Sequence, residues 1–258
     1  MCIHMKFDFH THGKLSKKVE FSLDYFQKMV QSAQENGLTG FALTEHFNTR
    51  NFFDVYNTLD EIYPYIDNYY LVNNVKVFPG MEVDIQEVGH ILIVADRTII
   101  RKIRTMLEPY TAKGSFIPFA HLLELVAPFE QLIIGAHPYR QSTPLFDLDP
   151  VLLNKLDAFD LNGKDLYSMG IEENSHLVYQ FAKTLNKPVI GGSDTHHLLQ
   201  YGCIYNELEE ECHTIRDLKN IILTGRYKIH IADNLLDKVK LATEQKALEK
   251  KLMESATI

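Results

Sequence analysis

Short apolar runs alternate along the chain with stretches whose apolar positions recur at helical spacing, and this alternation predicts strands followed by helices. Between 22 and 36, Leu23, Phe26, Met29, Val30 and Ala33 mark one face of a helix that Ser22 can cap and Gly37 stops. Strands are predicted at 6–10, 39–44, 76–84, 90–95, 131–136, 156–162, 188–192 and 227–231. Further helices are predicted at 51–69, 97–108, 119–126, 170–185 and 214–224. Within 51–69, Pro64 must kink or end the helix, because proline has no N–H to donate to the preceding turn. Residues 234–256 form a Lys/Glu-rich pattern with apolar positions at Leu235, Leu236, Val239, Leu241, Leu248 and Leu252. That helix is expected to dock on the body with a solvated charged face, with dimerisation as the alternative.

Repeated β-then-α units argue for a mostly parallel sheet with helices outside it. At 258 residues, one large α/β barrel or two small domains would fit the length. No Pro/Gly/Ser-rich linker or internal repeat divides the chain, so a single domain is expected.

Composition narrows the function classes. Apolar residues make up 45% and charged residues 23%, enough to bury a sizeable core. The formal net charge is -8, from 26 basic and 34 acidic residues. That balance disfavours extended nucleic acid, which needs clustered Lys and Arg to displace counterions, but it leaves room for a small basic phosphate pocket. Cys2, Cys203 and Cys212 are few and unpatterned, as in a reduced protein without a disulfide framework. No apolar leader follows Met1, and no apolar run reaches the roughly 20 residues needed to span a bilayer, so a cytoplasmic location is expected.

The chemistry lies where the predicted strands end. The first carries Asp8-Phe9-His10-Thr11-His12-Gly13, and later ends carry Thr44-Glu45-His46, Gly80-Met81-Glu82, Ala136-His137-Pro138 and Ser193-Asp194-Thr195-His196. His90 stands instead near a strand's beginning, as an antiparallel excursion would place it. In an extended strand, residues two apart share a side, so His10 and His12 can grip one metal with Thr11 facing away. Asp194 and His196 share that spacing. Burying such groups unpaired costs several kcal/mol each by rough transfer estimates, and divalent metal is the simplest partner for all of them.

These motifs, in this order, resemble the PHP (polymerase and histidinol phosphatase) superfamily of metal-dependent phosphoesterases. The resemblance covers roughly residues 6–200. It implies a distorted (β/α)7 TIM-like barrel over 1–233, with 234–258 as a helix packed on the same domain, and two or three divalent ions (Zn, Mn or Fe). By the same resemblance one ion is expected on His10, His12, Glu82 and Asp194, and a second on Glu82, His90 and His137. A third is expected on His46 and His196. Relatives add a ligand six or seven residues after the H-x-H, where this chain has Lys18 and Val19; Glu20 is the nearest substitute.

Arg140, three residues after His137, is the candidate phosphate clamp, because guanidinium matches phosphate oxygens bidentately. Lys14 is a second candidate phosphate contact, and Glu45 is expected to orient an imidazole. Asn162 and Lys164 suit either substrate contact or a simple turn. His4, His121, His176 and His197 are read as non-ligands. The expected activity is hydrolysis of a small phosphomonoester by metal-activated water, with histidinol phosphate the first substrate to consider. Nucleotide or oligonucleotide phosphodiesterase, phosphotyrosine phosphatase and a non-catalytic metal-binding module are the alternatives. The sequence leaves the oligomeric state open.

Overall fold

The structure, a computed structural model, describes residues 4–255. In chain order it runs β1 (Met5–Thr11), α1 (Leu23–Glu35), β2 (Gly40–Leu43), α2 (Phe52–Ile62), β3 (Tyr65–Ile66), β4 (Tyr69–Val72), β5 (Val75–Ile85) and β6 (Gly89–Ala95). Then follow α3 (Arg97–Met106), α4 (Phe119–Val126), β7 (Gln131–Gly135), α5 (Pro150–Leu153), β8 (Ala158–Asn162), α6 (Gly163–Met169), α7 (Ile171–Thr184) and β9 (Val189–Gly192). The chain ends in β10 (Ile204–Leu208), α8 (Ile215–Leu223), β11 (Tyr227–Ile231) and α9 (Leu235–Ser255). Among the described residues no helix is long and apolar enough to cross a membrane.

The sheet order β1-β2-β5-β6-β7-β8-β9 makes a seven-stranded wall. Its pairs are parallel except where β6 runs antiparallel to both β5 and β7. The wall nearly closes on itself: Asp194 N donates to His10 O at 2.7 Å and His12 N to Thr195 O at 2.9 Å. This is the distorted barrel that the family resemblance implies. Outside the wall, β10 pairs antiparallel with β1, and β11 with β10.

Strand pairing sorts the side chains into two apolar layers. Leu92, Val94, Leu132, Ile134 and Ile190 join Phe7, Phe9 and Phe78 inside the barrel, and α8 plugs the end where β1 begins with Leu218, Ile221 and Ile222. Residues such as Phe41, Leu43, Ile91 and Ile93 face outward, in one cluster with Phe26, Met29 and Val30 of α1. Phe78 is fully buried, with its ring 5.5 Å from that of Phe7 and 5.4 Å from that of Tyr69. Phe78→Ala should therefore cost about 3–5 kcal/mol of stability by urea denaturation while leaving the opposite end of the barrel intact.

Three differences from the sequence pattern have local causes. The predicted helix 51–69 stops at Ile62: Tyr63 turns extended (φ -115°, ψ 143°) because a residue before proline is pushed out of the helical region. The rest becomes the hairpin β3–β4, turning at Asp67 with φ 50°. β10, absent from the predicted strands, pairs outside the barrel wall with one face half exposed, which leaves it a weak strand signature in sequence. α6 begins where a simple turn was an option, capped by the Asn162 side chain accepting from Lys164 N at 3.0 Å. Cys2 and the last residues of the predicted C-terminal helix, 256–258, lie outside the described residues; Cys203 and Cys212 are free and buried.

Candidate metal centre

The end of the barrel opposite α8 collects the chemistry. A register slip places the first two histidines there. β1 pairs with β2 at Asp8↔Phe41 and next at Thr11↔Leu43, so β1 carries one extra residue. Before the slip Phe7 and Phe9 face the interior; after it His10 and His12 do, as a bulge re-aims the side chains that follow it. Glu82 comes from mid-β5, and backbone bonds to Glu45 O (3.0 Å) and from Phe47 N (2.9 Å) hold it against the segment after β2. Because β6 is antiparallel, its first turn brings His90 to the same end. His137 and Asp194 follow β7 and β9 with φ of 33° and 56°, left-handed values that non-glycine residues rarely adopt and that concentrate at functional sites. Gly192 is required nearby, since a Cβ there would collide with His10 Cβ and Asp160 Oδ1.

Three groups of potential ligand atoms result: His10, His12 and Glu82; Glu82, His90 and His137; and His12, His46 and His196. Glu82 joins the first two. Its Oε1 lies 2.7 Å from His90 Nδ1, 3.3 Å from His137 Nε2 and 3.6 Å from His10 Nε2. Its Oε2 lies 2.6 Å from His46 Nδ1 and 3.6 Å from His12 Nε2. Asp194 Oδ1 stands beside the first group, 3.3 Å from His12 Nε2 and 3.8 Å from His10 Nε2. The third group differs from the resemblance in using His12 as its extra member. Glu20, the substitute considered from sequence, is instead half exposed and engaged by Arg50 and Asn51.

Most of these imidazoles have one nitrogen held from outside, which turns the other inward. His10 Nδ1 donates to Asp160 Oδ2 at 2.8 Å, and His90 Nε2 faces Asp84 Oδ1 at 2.9 Å. His137 Nδ1 faces Thr143 Oγ1 at 3.4 Å, and His196 Nδ1 faces the Asp194 carbonyl at 3.2 Å. Outer partners of this kind fix the tautomer and raise ligand basicity. Asp160 was invisible as such in the sequence, where it reads as one acid in an apolar strand. Asp160→Asn is expected to weaken metal binding about 10- to 100-fold, measured by competition with a chromophoric chelator.

Electrostatics and unsatisfied atoms fit bound cations. Burial pushes the Glu82 carboxyl up, but the imidazoles of His90, His46 and His137 outweigh it and hold the group well below its usual range. Burial also favours a protonated Asp194, and Lys164, Arg140 and His10 reverse that strongly. Burial holds His137 and His196 well below the usual imidazole range and brings His46 down to about 4, so all three stay neutral, the form that ligates metal. The Nε2 atoms of His10 and His12 face each other at 3.3 Å, as do those of His46 and His196. His12 Nδ1 is buried without a hydrogen bond, and the 2.6 Å approach of Glu82 Oε2 to His46 Nδ1 is not aligned as one. Clustered, buried and under-satisfied donors of this type fit several divalent ions.

Two cations stand at the rim. Arg140 reaches Asp194 Oδ2 at 2.9 Å while bonding Asp165 (3.1 Å) and Asn162 Oδ1 (3.0 Å). Lys164 Nζ lies 2.9 Å from Asp194 Oδ1 and 3.1 Å from His196 Nδ1, which ties the start of α6 to the cluster. Lys14, by contrast, does not reach the cluster: it is buried, and its ammonium donates to the Arg50 carbonyl at 2.5 Å, so the expected phosphate contact is corrected. Glu45 accepts from Gly13 N (3.1 Å) and His46 N (3.0 Å) and lies 3.8 Å from His12 Nδ1, bracing both histidine loops. His197 turns away from the cluster towards Glu249, and His4, His121 and His176 are exposed.

The sequence matches the family model described as PHP domain over residues 8–141 and a PHP-associated model over 173–227. A search of curated proteins returned no match. Among solved structures, PsfC from Pseudomonas syringae PB-5123 superposes with a TM-score of 0.79 at 19% identity, covering 95% of this chain and 98% of its own. The lesion-specific endonuclease Q from Pyrococcus furiosus gives 0.65 at 19% identity over 88% of this chain, which spans 58% of that protein. At such identities the likeness speaks for the fold.

Proposed function

This chain belongs to the PHP domain family of metal-dependent phosphoesterases, and from that premise we propose that it hydrolyses a small phosphomonoester with two or three divalent ions drawn from Mn, Zn or Fe. The observation that carries the reading is the convergence of Arg140 and Lys164 on Asp194, each at 2.9 Å, at the edge of the histidine cluster. A monoester brings two negative charges to be neutralised, where a diester brings one.

Bound divalent ions supply Lewis acidity to phosphoryl oxygens and lower the pKa of a coordinated water towards neutrality. The chain's own residues orient and balance charge. Glu82, Asp194 and the imidazoles would hold the cations, and Asp160 and Asp84 keep His10 and His90 turned inward. Arg140, whose Nε and Nη2 are engaged by Asp165, Asn162 and Asp194, offers its Nη1 edge to phosphate oxygens, and Lys164 offers a point charge. Recesses of about 340 and 330 Å³ flank the cluster, one at His90 and the other at Lys164. Each suits a small leaving group better than a polymer.

The test is a comparison of p-nitrophenyl phosphate with bis-p-nitrophenyl phosphate on protein loaded with Mn, Zn or Fe. Histidinol phosphate, phosphotyrosine and a short oligonucleotide serve as further arms. The reading expects monoesters to be turned over at least about tenfold more efficiently than diesters. Preference for the diester or the oligonucleotide would replace it with a phosphodiesterase, and absence of turnover with every metal would leave a binding module.

A further inference from the structure

α9 packs on the body through its own Leu235, Val239 and Ala242, which are buried. Those positions are four and three apart and so share one face, which continues to Lys246, Glu249 and Lys250. The inward stripe thus changes from apolar to charged where the helix packs against α6 and the turn at Leu198–Gln200. Such charges need partners. Glu249 has one in His197 Nε2, 3.3 Å from its Oε1. Lys246 is half buried, yet among the described residues its ammonium makes no hydrogen bond or ion pair. Burial and the nearby Lys164 and Lys250 bring its pKa down to about 7, against the weaker pull of Asp194 and Glu45.

Lys164, Lys246 and Lys250 line one recess of about 330 Å³, together with His197 and Gln200. At its inner end Lys164 touches both Asp194 and His196, so the recess adjoins the metal cluster directly. Lys164 and Lys250 crowd Lys246 on the positive side, and an anion lying between the three would relieve that repulsion and favour the charged form of Lys246. α9 is held firmly enough to present them: Lys238 Nζ donates to Asn36 Oδ1 at 2.6 Å and to Tyr201 O at 3.0 Å.

We propose that this recess is a subsite for a second anionic group of the substrate, a carboxylate or a phosphate carried on the leaving group. The proposal rests on the phosphoesterase reading above, in which the scissile phosphate meets Arg140, Lys164 and the metal ligands. α9 is then a specificity element that selects doubly anionic esters. A cationic leaving group, such as that of histidinol phosphate, meets three lysines and is disfavoured.

The test separates the subsite from the activity by using inert phosphonates on the Mn-loaded full chain. Isothermal titration compares propylphosphonate, 3-phosphonopropionate and propane-1,3-diphosphonate, which share a phosphonate and differ in the second group. Wild type should bind one or both doubly anionic probes about 10- to 100-fold more tightly than propylphosphonate, and which of the two is favoured tells carboxylate from phosphate. Lys246→Met should erase that difference, while Lys240→Met, on the exposed face of α9, should keep it. Lys250→Met provides a second variant should the first fail to fold. If all three probes bind alike to wild type, or if Lys246→Met and Lys250→Met both keep the preference, the subsite is refuted even where p-nitrophenyl phosphate is turned over. The expected binding pattern without turnover of any ester would instead leave the subsite standing and overturn the phosphoesterase reading.

Discussion

Glu82→Gln is expected to lower turnover about 10²- to 10³-fold and to strip metal from both ligand groups that Glu82 joins. Its two oxygens lie within 3.6 Å of nitrogens on His10, His12, His46, His90 and His137, so one carboxylate balances the charge of most of the cluster. Glutamine has nearly the same shape, but it brings no charge and replaces one acceptor oxygen by a donor NH2. That NH2 cannot ligate a cation and would point at nitrogens that need their lone pairs free. Metal analysis and steady-state kinetics on the variant check the expectation, with a circular dichroism melt to show that the barrel persists. Full activity with full metal content would mean that Glu82 does not join the two groups.

Arg140 carries the second large effect. Its guanidinium is shared among Asp194, Asp165 and Asn162, which fixes its plane. Arg140→Lys keeps the charge and loses the fork, so kcat/KM for a phosphomonoester should fall about 10- to 100-fold, the scale of one charged hydrogen bond or two. Arg140→Ala should fall further and also destabilise the protein by about 3–5 kcal/mol, because the largely buried Asp165 is left without its counter-charge. The split between KM and kcat is informative. A rise in KM with metal content unchanged marks direct phosphate contact. Loss of metal with KM unchanged would mean that Arg140 serves only to hold Asp194.

The sequence revealed the candidate ligands more readily than the means by which the fold gathers them. His10, His12, His46, Glu82, His90, His137, Asp194 and His196 stood out because imidazoles and carboxylates beside apolar strands demand a partner, and the structure gathers them at one end of one barrel. The strand and helix periodicities were equally plain, down to α4 at Phe119–Val126. What escaped depends on contacts distant in sequence. The slip in β1 that turns His10 inward is set by its pairing with β2, and nothing in Asp8-Phe9-His10 announces it. Asp160 is an ordinary strand acid until His10, 150 residues earlier, donates to it. Lys14 lies beside the H-x-H in sequence, yet its chain is drawn to Arg50 and away from the cluster. The charged end of the α9 stripe looked like a solvated face because the barrel end that it covers is assembled from other parts of the chain.

The most direct test of the account is a Mn2+ titration of chelator-treated protein, read by p-nitrophenyl phosphate hydrolysis. The account predicts no turnover in the metal-free protein and a rate that continues to climb beyond the first equivalent of metal, because three candidate ligand groups offer room for more than one ion. Turnover that survives complete removal of metal, or a rate that saturates at a single equivalent, would contradict it.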